Sequence, residues 1–255
     1  MIRTTFDSLS GVARVSLATP ERANALTPDD IRALAQAVEA AGREPELRCL
    51  VLDADGDTFS AGADLDALAH VSTEALLASA ADDFSHLAQM FAACPAPTLC
   101  ALNGPAVGGG AGVALLADVI VASASAKLIF PFARLGLVPD SGLTKIVTTA
   151  LGPSRTRLLF LSGGAIDAAP AFQAGLVSQC VPADEFATAV AKSISILSRT
   201  PLGLAPALRA LIDDCSERSL REQIVLEARA QAERLSLPQT RSAIAAALAT
   251  MRQPR

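Results

Sequence analysis

The chain has 255 residues, of which 51% are hydrophobic and 18% charged. That is enough apolar material to offset the ordering entropy of a packed core, which excludes a disordered polymer. A net charge of -5 leaves no basic footprint, so nucleic acid is not an expected partner.

From Phe84 to Ala117 there is no Asp, Glu, Lys or Arg. A bilayer span needs roughly 20 consecutive apolar residues in one helix. Pro95, Pro97, Asn103, Pro105 and the triplet Gly108 to Gly110 interrupt this run, which therefore reads as core with both faces covered and not as a membrane anchor. The opening MIRTTFDSLSG has no apolar h-region, so no secretory signal is expected and the expected location is cytoplasmic. Five cysteines without a CxxC pair read as reduced thiols. With His70 and His86 the only histidines, and neither ligand-spaced, no metal site is expected.

Two alternating runs, IRTTFDSL and GVARVSLA, meet at Ser10-Gly11 as a hairpin. Thr27 as N-cap, Pro28 at the first helical position and Asp29 and Asp30 in the first turn start a helix. Ile31, Leu34, Ala35 and Val38 give it one apolar face, and Gly42 closes it. CLVLD at 49–53 is a buried strand, a helical stretch covers 73–93, and TLCAL at 98–102 is the next strand. NGPAVGGG opens a small-residue helix, AGVALLA, which leads into strand DVIVAS at 118–123. Alternation of this kind predicts an α/β architecture with parallel strands. Beyond Pro139, helices are expected at 141–161, 168–174 and 183–199, with three more segments to Arg255. The stretch RTPLG at 199–203 marks the joint, giving a body over 1–199 and a helical region over 200–255.

Gly108 to Gly110 follow a strand and open a helix without matching either phosphate-binding fingerprint, and no Lys follows. Glycines there permit a tight turn, and they equally permit a backbone N–H aimed at an anionic oxygen. FSAGAD at 59–64 is a second small-residue turn after a strand. Two such turns at the carboxyl ends of neighbouring strands could converge into an oxyanion hole.

NALTPDDIRAL, LVLDADGDTFSAGADL, ALNGPAVGGGAGVALLADVIVAS and FARLGLVPDSG, in this order and spacing, resemble the crotonase (enoyl-CoA hydratase/isomerase) superfamily, and AFQAGLVSQCV resembles its next segment. The resemblance spans nearly the whole chain. It implies a ββα spiral, a C-terminal helical region that builds a homotrimer or dimer of trimers, and acyl-CoA thioester substrates. By motif position it implies oxyanion donors at the backbone N–H groups of Ala63 and Gly109. Ala61, Ala63, Asp64 and Leu65 would line the adenine end of coenzyme A, and Arg22 would meet a CoA phosphate. Arg22 as a solvated surface residue and Asp64 as a helix N-cap are the plainer alternatives.

Hydratases of this family carry one Glu shortly after the glycine triplet and another before the L-G segment; here those positions hold Gly112 and Phe132. Adding water across a double bond needs one group to deprotonate water and one to protonate carbon. One acid stays in place, Asp140 in LVPDSG, where Δ3,Δ2-enoyl-CoA isomerases and PaaG-like isomerases carry an acid. Moving a double bond needs a single base that takes a proton from C2 and returns it at C4. Asp140 is also a plausible cap for the following helix. As the base, it is expected to sit against an apolar pocket formed with Phe130, Phe132 and Leu137. The expected reaction is conversion of 3-enoyl-CoA to 2-enoyl-CoA, with CoA entering only as part of the substrate and no other cofactor. An atypical hydratase, a PaaG-like ring-epoxide isomerase and a catalytically silent acyl-CoA-binding protein are the rivals. DADGD at 53–57 lacks the remaining ligands of a calcium loop and reads as solvated.

Overall fold

The computed structural model describes residues 2–251. Strands β1 (Ile2–Asp7) and β2 (Val12–Leu17) form the expected hairpin, paired antiparallel from Ile2↔Leu17 to Asp7↔Val12. Asp7 closes its turn by accepting from the Leu9 amide at 3.0 Å and the Ser10 hydroxyl at 2.7 Å. Helix α1 (Pro28–Gly42) starts where the sequence places it. The Thr27 hydroxyl accepts from the Asp30 amide while the Asp30 carboxylate accepts from the Thr27 amide, a reciprocal cap.

The chain then runs β3 (Cys49–Ala54), α2 (Leu65–Ala69), α3 (Thr73–Ala93), β4 (Thr98–Leu102), β5 (Ala106–Val107), α4 (Gly109–Ala114), β6 (Val119–Ser123) and β7 (Lys127–Ile129). After these come α5 (Leu143–Leu161), β8 (Ala165–Asp167), α6 (Ala168–Gln173), β9 (Gln179–Val181) and α7 (Phe186–Leu197). The main sheet has the order β1-β2-β3-β4-β6-β9, parallel except for the first pair. A second layer has the order β5-β7-β8. It is extended by two single bridges, Leu26↔Ala63 and Ser60↔Ala106, both parallel. Each circuit of the chain thus lays one strand in the main sheet and one short extended segment in the second layer before a helix returns it, which is the ββα repeat that the resemblance implies.

Strand alternation sends neighbouring side chains to opposite faces. Leu50, Leu52, Cys100, Leu102, Ile120 and Ala122 join Leu34 and Val38 of α1 and Leu87 and Phe91 of α3 in the larger core. Cys49, Val51, Leu99, Ala101 and Val121 face the other way, onto Val190 and Ile194 of α7. Both faces of the sheet are covered, which is why its strands read as unbroken apolar runs. Burial pushes the Cys49 thiol up to about 12 and the Cys100 thiol higher still, so neither is a nucleophile at neutral pH.

Three expectations shift. Helix α5 begins at Leu143 and not at 141, because Ser141 and Gly142 are both left-handed (φ 54° and 75°). It is also broken at Gly152 (φ 75°, ψ 162°) ahead of Pro153, whose ring excludes a helical predecessor. The short strands β5, β7, β8 and β9 were not expected, since two or three residues carry no readable period.

The chain divides into two compact units, one ending at Gly203 and one beginning at Leu204. The second contains α8 (Leu204–Ile212), α9 (Leu220–Ser236) and α10 (Pro238–Met251). Ser219 and Glu222 form another reciprocal cap at α9, and the Gln223 side-chain amide donates to the Leu211 carbonyl at 3.0 Å, tying α9 to α8. Leu220, Ile224, Val225, Ile244 and Leu248 are exposed. Among the described residues no helix is long and apolar enough to cross a membrane.

Candidate active site

Two small-residue turns run side by side. Ser60 pairs with Ala106, the Ser60 amide donating to the Pro105 carbonyl at 3.2 Å and the Val107 amide to the Ser60 carbonyl at 2.9 Å. Beyond that bridge Gly62, the residue before Ala63, lies against the backbone of Val107 and Gly109. The approach is close enough that a Cβ on Gly62 (φ 82°) would collide with the Val107 carbonyl oxygen and lie 3.7 Å from the Gly109 nitrogen. A Cβ on Gly110 would lie 2.6 Å from the Ser60 Cβ and hydroxyl oxygen. The glycines therefore serve contact between two backbones, as only residues without side chains can.

The bridge to Leu26 fixes which amides remain available. The Leu26 amide donates to Gly62 at 2.7 Å and the Asp64 amide to Leu26 at 2.9 Å, so the Ala63 N–H takes no part in the pairing. Gly109 is the first residue of α4, where an N–H has no partner within the helix. Two neighbouring N–H groups of this kind can hold one oxyanion, and fixed donors of that sort need no reorganisation as charge develops.

Asn24 is the residue that sequence reasoning passed over. It is buried, with a left-handed backbone (φ 54°). Its side-chain oxygen accepts from the Thr19 amide at 2.9 Å, and its side-chain nitrogen donates to Asp55 and Thr58 carbonyls at 2.9 and 2.8 Å. Its own carbonyl accepts from the Ser60 hydroxyl at 2.8 Å, and that hydroxyl in turn accepts from the Gly62 amide at 3.1 Å. The turn carrying Ala63 thus hangs from Asn24. Only the left-handed tendency of Asn at a loop offered a signal.

Outside this corner lies a cleft of about 360 Å³ lined by Arg22, Ala25, Ala61, Ala63, Asp64, Leu65 and Asp66. All five residues expected to contact CoA, Arg22, Ala61, Ala63, Asp64 and Leu65, are among them. Asp64 and Arg22 contact one another. Asp64 does cap α2, its Oδ1 accepting from the Asp66 and Ala67 amides at 3.1 Å. Its Oδ2 accepts from Arg22 at 3.0 Å, and Asp30 is 3.8 Å from the same guanidinium, so Arg22 is a surface cation paired with two carboxylates. Two of the three DADGD acids are likewise engaged: Asp53 accepts from Ser16 and from Arg14 at 3.0 Å, and Asp55 accepts two bonds from Arg3 at 2.6 and 2.7 Å.

The LVPDSG turn arrives at the same corner. A Cβ on Gly112 would lie 2.5 Å from the Ser141 Cβ, and a Cβ on Gly109 would lie 3.7 Å from the Ser141 hydroxyl oxygen and 3.3 Å from the Phe84 ring. Asp140 accepts from the Ser141 hydroxyl at 2.8 Å. It does not cap α5, whose N-cap is Gly142 without a side-chain bond. The expected apolar surroundings of Asp140 require correction. Phe130 is in the core, stacked edge-on to Phe160 with ring centroids 5.3 Å apart, and Phe132 packs into the core beside Gly108. Leu137 is 47% exposed and Asp140 is exposed, because this turn projects beyond the sheet.

The fold and this double-turn corner define a crotonase-type acyl-CoA enzyme. Residues 7–248 match the model of the family described as enoyl-CoA hydratase/isomerase, and the chain belongs to that family. It is 30% identical over 218 residues to a Mycobacterium bovis protein named "Probable enoyl-CoA hydratase", covering 86% of this chain and 84% of that one. It is 31% identical over 220 residues to the 1,2-epoxyphenylacetyl-CoA isomerase of Escherichia coli, covering 85% and 84%. The crystal structure of an enoyl-CoA hydratase from Polaromonas sp. JS666 superposes with a TM-score of 0.90 at 26% identity, covering 100% and 98%.

Proposed function

We propose that this enzyme converts a 3-enoyl-CoA to the conjugated 2-enoyl-CoA. The thioester oxygen accepts from the N–H groups of Ala63 and Gly109, and Asp140 removes a proton from C2. The electron pair left behind delocalises over the oxygen and the former double bond as a dienolate. Asp140 then returns the proton at C4, so that no atom is gained or lost and water takes no part. Arg22, Ala61, Asp64 and Leu65 hold the CoA portion, which comes and goes with the substrate. No separate cofactor enters these steps.

One observation carries the reading. The turn beside Gly109 carries one carboxylate, Asp140, while Gly112 and Phe132 stand where the family resemblance implies a hydratase's two. The Cβ position of residue 112 is moreover filled by Ser141. The test is Asp140→Asn, assayed by the conjugation absorbance gained from 3-enoyl-CoA. Loss of a positioned acid/base is expected to lower kcat by about 10²–10⁴ with an unchanged melting temperature. A folded variant with the wild-type rate would sink the assignment.

A second reading, isomerisation of a ring epoxide on CoA, is supported by the 31% identity to the Escherichia coli isomerase. Turnover of an epoxide thioester with none of 3-enoyl-CoA would favour it. Saturable acyl-CoA binding without turnover of any thioester would instead identify a silent binding protein. The exposed apolar side chains of α9 and α10 support self-association, for which we propose a trimer or dimer of trimers; light scattering of the purified protein reads the mass directly.

A further inference from the structure

Ser141 stands out because its backbone and its side chain are both unusual. It is one of three non-glycine residues with positive φ among the described residues, and at 54° it occupies a conformation that a residue with a Cβ enters at a cost. Gly142 follows in the same region (φ 75°), so two consecutive left-handed residues turn the chain into α5. The Asp140 carbonyl accepts from the Leu143 amide at 2.9 Å, which closes that turn. The result puts the Ser141 Cβ directly over Gly112, at a site any side chain on residue 112 would contest, and puts the Ser141 hydroxyl toward Gly109. From there the hydroxyl donates at 2.8 Å to Oδ1 of Asp140, and it is the one hydrogen-bond donor reaching that carboxylate among the described residues.

We infer that Ser141 is a positioning residue for Asp140, held in a left-handed conformation so that its hydroxyl fixes one carboxylate oxygen and leaves Oδ2 to face the substrate carbons. The inference rests on the proposed role of Asp140 as the base. Its physical content is that an acid on an exposed turn has many rotamers, of which few put an oxygen within reach of C2 and then C4. A hydrogen bond from the adjacent residue, itself wedged against α4, selects among them. The hydroxyl has a single proton, and giving it to Oδ1 commits that oxygen and leaves the other without a donor. The missing carboxylate and the present serine are two sides of one packing arrangement, since Gly112 is what allows Ser141 to sit there.

The experiment uses Ser141→Gly, because glycine takes a φ of 54° without strain and any loss of activity cannot be ascribed to a misfolded turn. The expected result is a fall in kcat on 3-enoyl-CoA of roughly 10- to 100-fold, the cost of a misplaced reacting group, with KM little changed and the melting temperature equal to or above wild type. Ser141→Ala should lose kcat by the same factor. Placed on the Asp140→Asn background, Ser141→Gly should cost nothing further, because a residue that acts through the carboxylate has nothing left to position. A wild-type kcat in Ser141→Gly, or an equal additional loss on the Asp140→Asn background, overturns the inference while leaving Asp140 as the base. Wild-type turnover by Asp140→Asn, or no turnover of 3-enoyl-CoA by the native enzyme, removes the underlying reading and this inference with it.

Discussion

The corner that carries Ala63 and Gly109 and the turn that carries Asp140 meet at one site but are built on opposite principles. The corner is backed by the buried Ser60, Gly62, Ala106 and Gly110, its segments are locked by backbone bonds from Leu26 to Gly62, from Ser60 to Pro105 and from Val107 to Ser60, and Gly62 and Gly110 leave no room for a methyl group. Residues 136–142 project outward, and Gly136 has nothing within 4 Å of where a Cβ would lie. What shapes this turn is its own left-handed residues, Gly136, Ser141 and Gly142. An oxyanion must be met by donors that do not move, since reorganising them would cost what their charge gains. Packing of backbone on backbone thus holds the corner, whereas the turn carrying Asp140 is held by its own left-handed residues and by the one contact of Ser141 over Gly112.

Substitution can break or sharpen this contrast. The largest effect is expected from Gly62→Ala, which combines left-handed backbone, about 1–2 kcal/mol, with overpacking against the Val107 carbonyl, about 1–3 kcal/mol. Calorimetry should find it among the least stable variants, with activity lost because Ala63 is displaced; a fall of under 1 kcal/mol would show the corner to be softer than described. Asn24→Ala follows. It strands the Asp55 and Thr58 carbonyls and the Thr19 amide, and an unsatisfied buried group costs about 1–3 kcal/mol. A net loss of about 3 kcal/mol corresponds to a melting temperature lower by roughly 6–12 °C.

Gly136→Ala is the counterpart of Gly62→Ala on the exposed turn. Its φ of 67° is similar, but open space surrounds it, so only the backbone penalty of about 1–2 kcal/mol should appear. The difference between the two glycine variants measures packing alone, and equal losses would refute the distinction drawn between the regions. The smallest effect concerns the hairpin edge. Hydrogen bonding from Arg3, then its charge, holds the Asp55 carboxyl below the usual carboxylate range. A depressed carboxylate contributes stability above its unfolded value, about pH 4. That contribution is lost as pH falls through the lower folded value. The stability gap between wild type and Arg3→Gln should therefore be present at pH 6, narrow below pH 4 and shrink in high salt, because the pair is exposed.

Most of the scaffold was legible in the residues themselves. Thr27-Pro28-Asp29-Asp30 announces α1 because capping and dipole effects are local, and the charge-free run from Phe84 to Ala117 announces β4 and α4 because a sheet covered on both faces excludes charge. The ordered motifs named the family and the residues to inspect, and Arg22, Ala61, Asp64 and Leu65 do line one cleft. What required the tertiary structure was anything made of contacts distant in sequence. No local signal says that Asn24 suspends the 55–62 loop, or that Ser60 pairs with Ala106. None says that Asp140 is exposed and bonded to the Ser141 hydroxyl while Phe130 and Phe132 turn away into the core. Periodicity and capping belong to a segment's own backbone and can be read along it. The fit of Ser141 over Gly112 depends on two backbones 29 positions apart coming within one side chain of each other, and only the folded chain decides that.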